Sequence, residues 1–229
     1  MKNNKILLIV AAHPDDEILG CGGTVAKLIN QGFKAYSLIL GEGITSRDVI
    51  RDIQKRTNEL SSLKQDMLKA NKILGITTVF SHQFPDNRFD TVPLLDIVKK
   101  IEEILEKISP SIVFTHYSND LNIDHQITNQ AVLTATRPLI GQTVQTIFAF
   151  ETLSSTEFNF PLSFNPDTFV EISETLKLKI QAMEAYQSEV RSFPHPRSLR
   201  MIENNANYWG VRTGLKKAEA LQTLRNILL

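Results

Sequence analysis

A single cysteine, Cys21, stands among 229 residues, so no internal disulfide can form. No positive residue neighbours it in sequence to lower its thiol pKa, and a small buried side chain is its expected role. Charge of one sign is also missing: 25 Lys and Arg balance 25 Asp and Glu. Composition therefore implies no broad basic face for nucleic acid, and a charged substrate would need locally placed arginines. Long hydrophobic runs are absent too. The apolar run near the N-terminus is short and leads straight into polar residues, so neither a secretory signal nor a membrane span is expected. Repeats and low-complexity tracts are lacking, and with 42% hydrophobic residues the length fits one sizeable α/β domain over residues 1–229 rather than two. Cysteine usage and the missing signal together give a cytoplasmic expectation.

What is present begins with residues 5–24, KILLIVAAHPDDEILGCGGT. Ile6, Leu7, Leu8, Ile9 and Val10 are contiguous rather than alternating, the pattern of a strand covered on both faces in a parallel sheet. The run stops at His13-Pro14-Asp15-Asp16-Glu17 and glycines follow at Gly20, Gly22 and Gly23. A buried strand thus delivers a polar cluster to its own carboxyl end, ahead of a helix. An imidazole and a carboxylate so close together can share one divalent metal and leave a second carboxylate free as a base. The same residues also suit a strand-to-helix turn in which Pro14 sets the chain direction and the acids complement the helix dipole. Spacing alone leaves both readings open.

AHPDDE followed by GCGGT resembles the signature of the LmbE-like, or PIG-L-like, family of zinc-dependent N-deacetylases. The resemblance implies that His13 and Asp16 bind zinc, with another divalent transition metal as the alternative, and that Asp15 is the catalytic base.

Further along, Thr24 to Gln31 reads as the remainder of a helix closed by Gly32, and Lys34 to Leu40 as a second strand. The loop GEGITSRDVI carries Arg47 beside Thr45 and Ser46, either to hold an anionic or hydroxyl-rich ligand or as a solvated loop arginine. Leu60, Leu63, Met67, Ala70 and Leu74 recur at steps of three and four, the apolar stripe of a helix ending at Gly75. Ile76 to Phe80 makes a third strand, followed by the loop SHQFPDNRFD. There Asp86 and Arg88 can hydrogen-bond neighbouring sugar hydroxyls, the plain alternative being a Pro-Asp-Asn turn, and His82 reads as a surface or loop histidine. Leu94, Ile97, Val98, Ile101, Leu105 and Ile108 form another helical stripe; Pro110 ends it, and Ser111 to Thr115 gives a fourth strand.

That strand empties into THYSNDLNIDHQ, which concentrates His116, Asp120, Asn122, Asp124 and His125. His125 opens an Ala- and Val-containing helix. A ligand there would complete a facial set with His13 and Asp16 and leave coordination positions for water and substrate, while Asp124 could orient a ligand from outside. A surface histidine at a helix start fits the same residues. In the resembled family this region ends in Asp-His, the histidine being the third zinc ligand, which carries that role to His125. Many members have a second histidine three positions earlier, thought to stabilise the oxyanion. Asn122 stands there in this chain, so His116, Asn122 or the metal itself must supply that stabilisation.

Val144 to Phe150 reads as a fifth strand and Glu151 to Asn165 as a loop long enough to cover a pocket. Glu174 to Tyr186 is an expected helix, and SFPHPRSLR sets His195 between two prolines with Arg197 and Arg200 nearby, a turn residue or a substrate or subunit contact. The tail GLKKAEALQTLRNIL resembles the Gly and Ala-Glu pattern near the end of many family members. Alternating strands and helices imply a Rossmann-like three-layer α/β sandwich with a mostly parallel sheet, and right-handed crossovers put HPDDE, GEGITSR, FPDNRFD, THYSNDLNIDH and FETLSS at one sheet edge, the carboxyl ends of the strands.

A non-catalytic nucleotide-binding module is the first rival, but Gly20, Gly22 and Gly23 do not make G-x-G-x-x-G, and Asp15 and Asp16 would repel a phosphate at the helix start. A metal-dependent hydrolase of another ester or amide bond, phosphoesters included, is the second. The resemblance implies removal of an N-acetyl group from an N-acetylglucosamine-type or related amino-sugar conjugate, giving acetate and a free amine. Arg47, Asp86, Arg88 and His195 are the candidate substrate contacts. Members of the family often assemble, so a homo-oligomer is left open, with no stripe assigning it a face.

Overall fold

Leu7, Leu8, Ile9 and Val10 are all fully buried in β1 (Ile6–Ala11), as an unbroken apolar run requires of a strand covered from both sides. The computed structural model describes residues 5–228. After β1 come α1 (Asp16–Asn30), β2 (Lys34–Gly41), α2 (Thr57–Leu74), β3 (Thr78–Phe84), α3 (Leu94–Ile108), β4 (Ile112–His116), α4 (Ile123–Ala135) and β5 (Thr146–Phe150). The chain finishes with β6 (Thr168–Glu171), α5 (Leu176–Ala185), α6 (Leu199–Thr213) and β7 (Ala218–Asn226).

The seven strands form one sheet in the order β3-β2-β1-β4-β5-β7-β6. The first five run parallel, β7 runs antiparallel to β5, and β6 runs antiparallel to β7. Leu8 and Val10 face Ile97 and Ile101 of α3 and Ala131 and Val132 of α4. Leu7 and Ile9 face Cys21 and Val25 of α1 on the other side, where α2, α5 and α6 complete the layer. This is the expected mostly parallel three-layer sandwich. The strand order reverses between β1 and β4, and crevices at such switch points are where open α/β sheets bind ligands. Among the described residues, no helix is long and apolar enough to cross a membrane.

Four elements depart from the sequence reading, among them β6 (Thr168–Glu171), a strand in a stretch the sequence left unassigned. The third strand runs Thr78–Phe84, so His82 stands on a strand rather than in a loop; β3 is a sheet edge with half-exposed side chains, and its outer residues carry no continuous apolar run. The stretch after SFPHPRS is helical as α6, and the tail is a strand rather than an unassigned segment.

Helix α1 is not regular. At Cys21 the backbone turns to φ −143°, breaking the helix into two. The amides freed by the break, Gly23 N–H and Thr24 N–H, donate to the Glu219 carboxylate of β7 at 2.9 and 2.6 Å, and the freed Leu19 carbonyl accepts from Lys179 Nζ of α5 at 2.8 Å. Lys179 and Glu219 are themselves 2.6 Å apart and buried, so each charge is offset by the other and by main-chain dipoles. Gly20 lies against Phe150: a Cβ there would come within 2.1 Å of the ring. The Cys21 thiol is buried, outside any disulfide, and donates to the Glu17 carbonyl at 3.6 Å; burial pushes its pKa up.

Candidate active site

The turn that ends β1 is built by its own side chains. Asp16 Oδ2 accepts the His13 main-chain N–H at 2.8 Å, and Glu17 Oε2 accepts the Asp15 N–H at 3.0 Å. Asp15 caps α1 in the left-handed region at φ 103°, a conformation a non-glycine residue holds only when its surroundings enforce it. Glu17 does the enforcing. Its other oxygen accepts Tyr186 Oη at 2.5 Å and Asn71 Nδ2 at 2.8 Å, and Asn71 in turn accepts the Ser37 hydroxyl at 2.7 Å. Burial raises the Glu17 pKa from 4.5 to about 7 against the lowering effect of those donors.

The crevice between β1 and β4 draws the two polar clusters of the sequence together. His13 Nδ1 lies 3.4 Å and His125 Nε2 lies 3.3 Å from the same oxygen, Asp16 Oδ2. The outer nitrogen of each ring meets a second carboxylate: His13 Nε2 is 2.9 Å from Asp124 Oδ2, and His125 Nδ1 is 3.2 Å from Asp120 Oδ1. Asp124 is fixed by the Phe89 N–H at 2.9 Å, and Asp120 by the hydroxyls of Ser155 and Thr156. The loop after β5 thus supplies an inner wall of the site, not only a cover.

Burial favours a neutral His13, but hydrogen bonds to Asp124 and Asp16 outweigh it and hold the pKa well above 6.5. His125 follows the same logic, burial opposing and Asp16 and Asp120 prevailing, to reach about 9. Burial likewise opposes ionisation of Asp16, yet His125 and His116 keep that carboxyl well below its ordinary range.

His13, Asp16 and His125 are buried, and one ligand atom from each lies within 4.8 Å of the others. Donors bound tetrahedrally at about 2.0–2.1 Å sit roughly 3.3 Å apart, close to the separations seen here. Each imidazole has its far nitrogen held by a carboxylate, the arrangement that orients metal-ligating histidines. The donor set therefore fits a divalent transition metal. A second trio shares the same ring: His13 with Asp86 and Asp124.

His116 stacks on His125 with centroids 3.9 Å apart, but both its nitrogens are engaged. Nε2 accepts the Ala12 N–H at 2.9 Å and Nδ1 faces the Thr152 hydroxyl at 3.1 Å, while burial lowers its pKa well below 6.5. Asn122 is engaged as well. It caps α4 by accepting the Asp124 N–H at 2.8 Å, and its amide donates to Asn87 Oδ1 at 2.8 Å.

Among the candidate substrate contacts, Asp86 enters the cluster. Its Oδ1 is 3.3 Å from His13 Nε2, and Oδ2 accepts from the Ser46 amide and hydroxyl at 3.0 and 2.6 Å. Arg88 lies at the rim, with a 3.5 Å contact to the Val49 carbonyl. Arg47 is drawn away to Glu189 at 2.7 Å. His195 is an exposed turn residue whose Nδ1 accepts the Arg197 N–H at 3.0 Å. It is Arg197 that reaches inward, to 3.2 Å from Asp15 Oδ2. Burial, then the neighbouring Asp16, Glu189 and Glu17, push the Asp15 carboxyl well above its ordinary pKa, and Arg197 opposes them. Asp120, Glu189 and Arg197 were given no role by the sequence; Asp120 had a signal in its place within THYSNDLNIDHQ and Arg197 in its place beside His195 in HPR, while Glu189 had none.

Comparison with known proteins gives a family model, curated relatives and solved structures of the same fold. Residues 8–136 match the family model described as PIG-L: GlcNAc-PI de-N-acetylase. The chain is 29% identical over 190 residues to the uncharacterized deacetylase YaiS of Escherichia coli K12, covering 80% of this chain and 91% of that one. It is 24% identical over 232 residues to the diacetylchitobiose deacetylase of Thermococcus kodakarensis, covering 98% and 85%. Among solved structures, the conserved protein TT1542 of Thermus thermophilus superposes with a TM-score of 0.75 at 26% identity, over 97% of this chain and 96% of that one.

Proposed function

Because the chain belongs to the PIG-L family of GlcNAc-PI de-N-acetylases, we propose that it is a zinc-dependent N-deacetylase that removes the acetyl group from an N-acetylglucosamine-type amino-sugar conjugate. The observation that carries this reading is the convergence of His13, Asp16 and His125 within 4.8 Å, with Asp15 next in the chain to one of them. The relatives' names support the reading: the diacetylchitobiose deacetylase supports the substrate class, and the uncharacterized deacetylase supports the reaction alone.

In this proposal His13, Asp16 and His125 hold the metal, which when bound polarises a water molecule and the acetyl carbonyl. Asp15 accepts the proton as the water oxygen attacks the carbonyl carbon. The carbon–nitrogen bond then breaks, Asp15 returns the proton to the departing nitrogen, and acetate and a free amine result. Asp124 and Asp120 keep the two imidazoles oriented. Asp86 and Arg88 lie where sugar hydroxyls can be bound, Asp86 inside the crevice and Arg88 at its edge.

The deciding experiment combines metal analysis of the purified protein with parallel assays of acetate, free amine and phosphate release across N-acetyl sugars and phosphoesters. Acetate and amine in equal amounts, lost on chelation and restored by zinc, support the proposal. Phosphate release without acetate would move the assignment to a phosphoesterase.

A further inference from the structure

Asp15 is 1% exposed and lies beside Asp16 and Glu17, so its carboxylate needs a cation to hold it. Arg197 is that cation, with Nη1 3.2 Å from Asp15 Oδ2. The guanidinium is anchored from behind: Nη1 also lies 2.9 Å from Glu189 Oε2, and Nε donates to the Ser154 hydroxyl at 2.8 Å. Glu189 is buried and is fixed on its other oxygen by Arg47 at 2.7 Å. Among the described residues, Nη2 of Arg197 has no hydrogen-bond partner.

A deacetylase also needs a donor for the carbonyl oxygen as it becomes an oxyanion. Of the two side chains that sequence offered for that task, His116 has both ring nitrogens engaged in the fold, and Asn122 gives its oxygen to the Asp124 N–H and one amide hydrogen to Asn87. Arg197 has a donor to spare and already touches the group from which the charge departs.

We propose that Arg197 is a further catalytic residue, which holds the Asp15 carboxylate before reaction and binds the acetyl oxygen as it gains negative charge. The inference rests on the deacetylase reading of the site. In the addition step a water O–H bond breaks and its proton goes to Asp15. The water oxygen bonds to the carbonyl carbon, and the carbonyl π pair moves onto oxygen. Negative charge thus leaves Asp15 and appears on the substrate, so the guanidinium loses one anionic partner as another forms. The planar fork, with Nε and Nη1 fixed by Ser154 and Glu189, allows this exchange without reorienting the side chain.

The test compares metal-loaded wild type, Arg197→Met and Arg197→Lys in turnover of N-acetylglucosamine conjugates, metal content and equilibrium binding of two probes. One probe is methylphosphonate, a tetrahedral anion shaped like the adduct; the other is glucosamine, which lacks the acetyl group. Arg197→Met is expected to lower kcat by roughly 100- to 1,000-fold with KM little changed, the loss typical of one oxyanion donor. Methylphosphonate binding should weaken by about tenfold or more, since adduct mimics report contacts made in the transition state, while glucosamine binding and metal content stay unchanged. Arg197→Lys should recover part of both losses. Retention of kcat within about threefold in Arg197→Met overturns the proposal, as does equal weakening of both probes or loss of metal, which would mark a purely structural role. If wild type releases no acetate, the deacetylase reading falls, and the methylphosphonate-to-glucosamine comparison still decides whether Arg197 receives a tetrahedral anion.

Discussion

His13 Nε2 and Asp124 Oδ2 lie 2.9 Å apart, joining the end of β1 to the start of α4 across 111 residues of sequence. The pairing divides the adjacent Asp124 and His125 between two tasks, one side chain orienting a ligand and the other serving as one. Asp124→Asn keeps an oxygen that can accept but removes the charge, so metal affinity should fall by roughly 10- to 100-fold, as expected when such an orienting carboxylate is lost. Competition against a calibrated chelator measures it, and an unchanged affinity would show that His13 needs no such support.

Asp15 and its neighbours should separate by what they lose. Asp15→Asn is expected to abolish acetate release while the protein still binds metal, whereas His13→Ala and His125→Ala should each lose the metal. Turnover together with elemental analysis of the three variants decides the matter; equal metal loss in all three would contradict the division of roles.

Removing the metal should leave a protein whose stability falls in alkaline buffer. His125 is raised from 6.5 to about 9: burial opposes its protonation, but Asp16 and Asp120 prevail. A raised histidine stabilises the folded state fully below its unfolded pKa and loses that contribution as pH climbs through the folded value. Metal-free protein should therefore have a falling unfolding midpoint between pH 6.5 and about 9, and zinc should remove the fall, because a metal replaces the proton. Denaturant titrations of both forms across that range provide the check.

Gly20→Ala should be destabilising although alanine favours helices. Its methyl would approach the buried Phe150 ring to 2.1 Å, and that ring lies 4.8 Å from the His116 ring. Overpacking of this kind costs about 1–3 kcal/mol. The expected signature is a lower denaturant midpoint with an unchanged slope; a more stable variant would mean that Phe150 moves aside freely.

The parallel half of the sheet, the edge strand β3 apart, could be read from the chain because its strands are largely apolar runs that stop abruptly, and the polar residues where runs stop are the ones the crevice gathers. His13, Asp16 and His125 belong to that class. Arg197 does not: its contact with Asp15 spans 182 positions and depends on the turn that follows α5, which no local period encodes. The closing elements were harder for different reasons. Ile202, Ala206 and Trp209 fall at helical steps of four and three, but asparagines and charges between them dilute the stripe of α6. In β7 the buried positions are Ala218, Glu219, Ala220 and Leu221, two small alanines around an ion-paired glutamate before a single large apolar residue, so a buried strand reads as an indifferent one.

Glu219 gives the molecule an order of assembly. On the ribosome, His13, Asp16 and His125 emerge long before it, yet the break in α1 at Cys21 has no carboxylate for its exposed amides until β7 arrives. While the chain between His125 and Glu219 is being made, the nascent protein thus carries its metal donors beside an unclamped helix, and a strand 196 residues downstream is the one that sets the first helix.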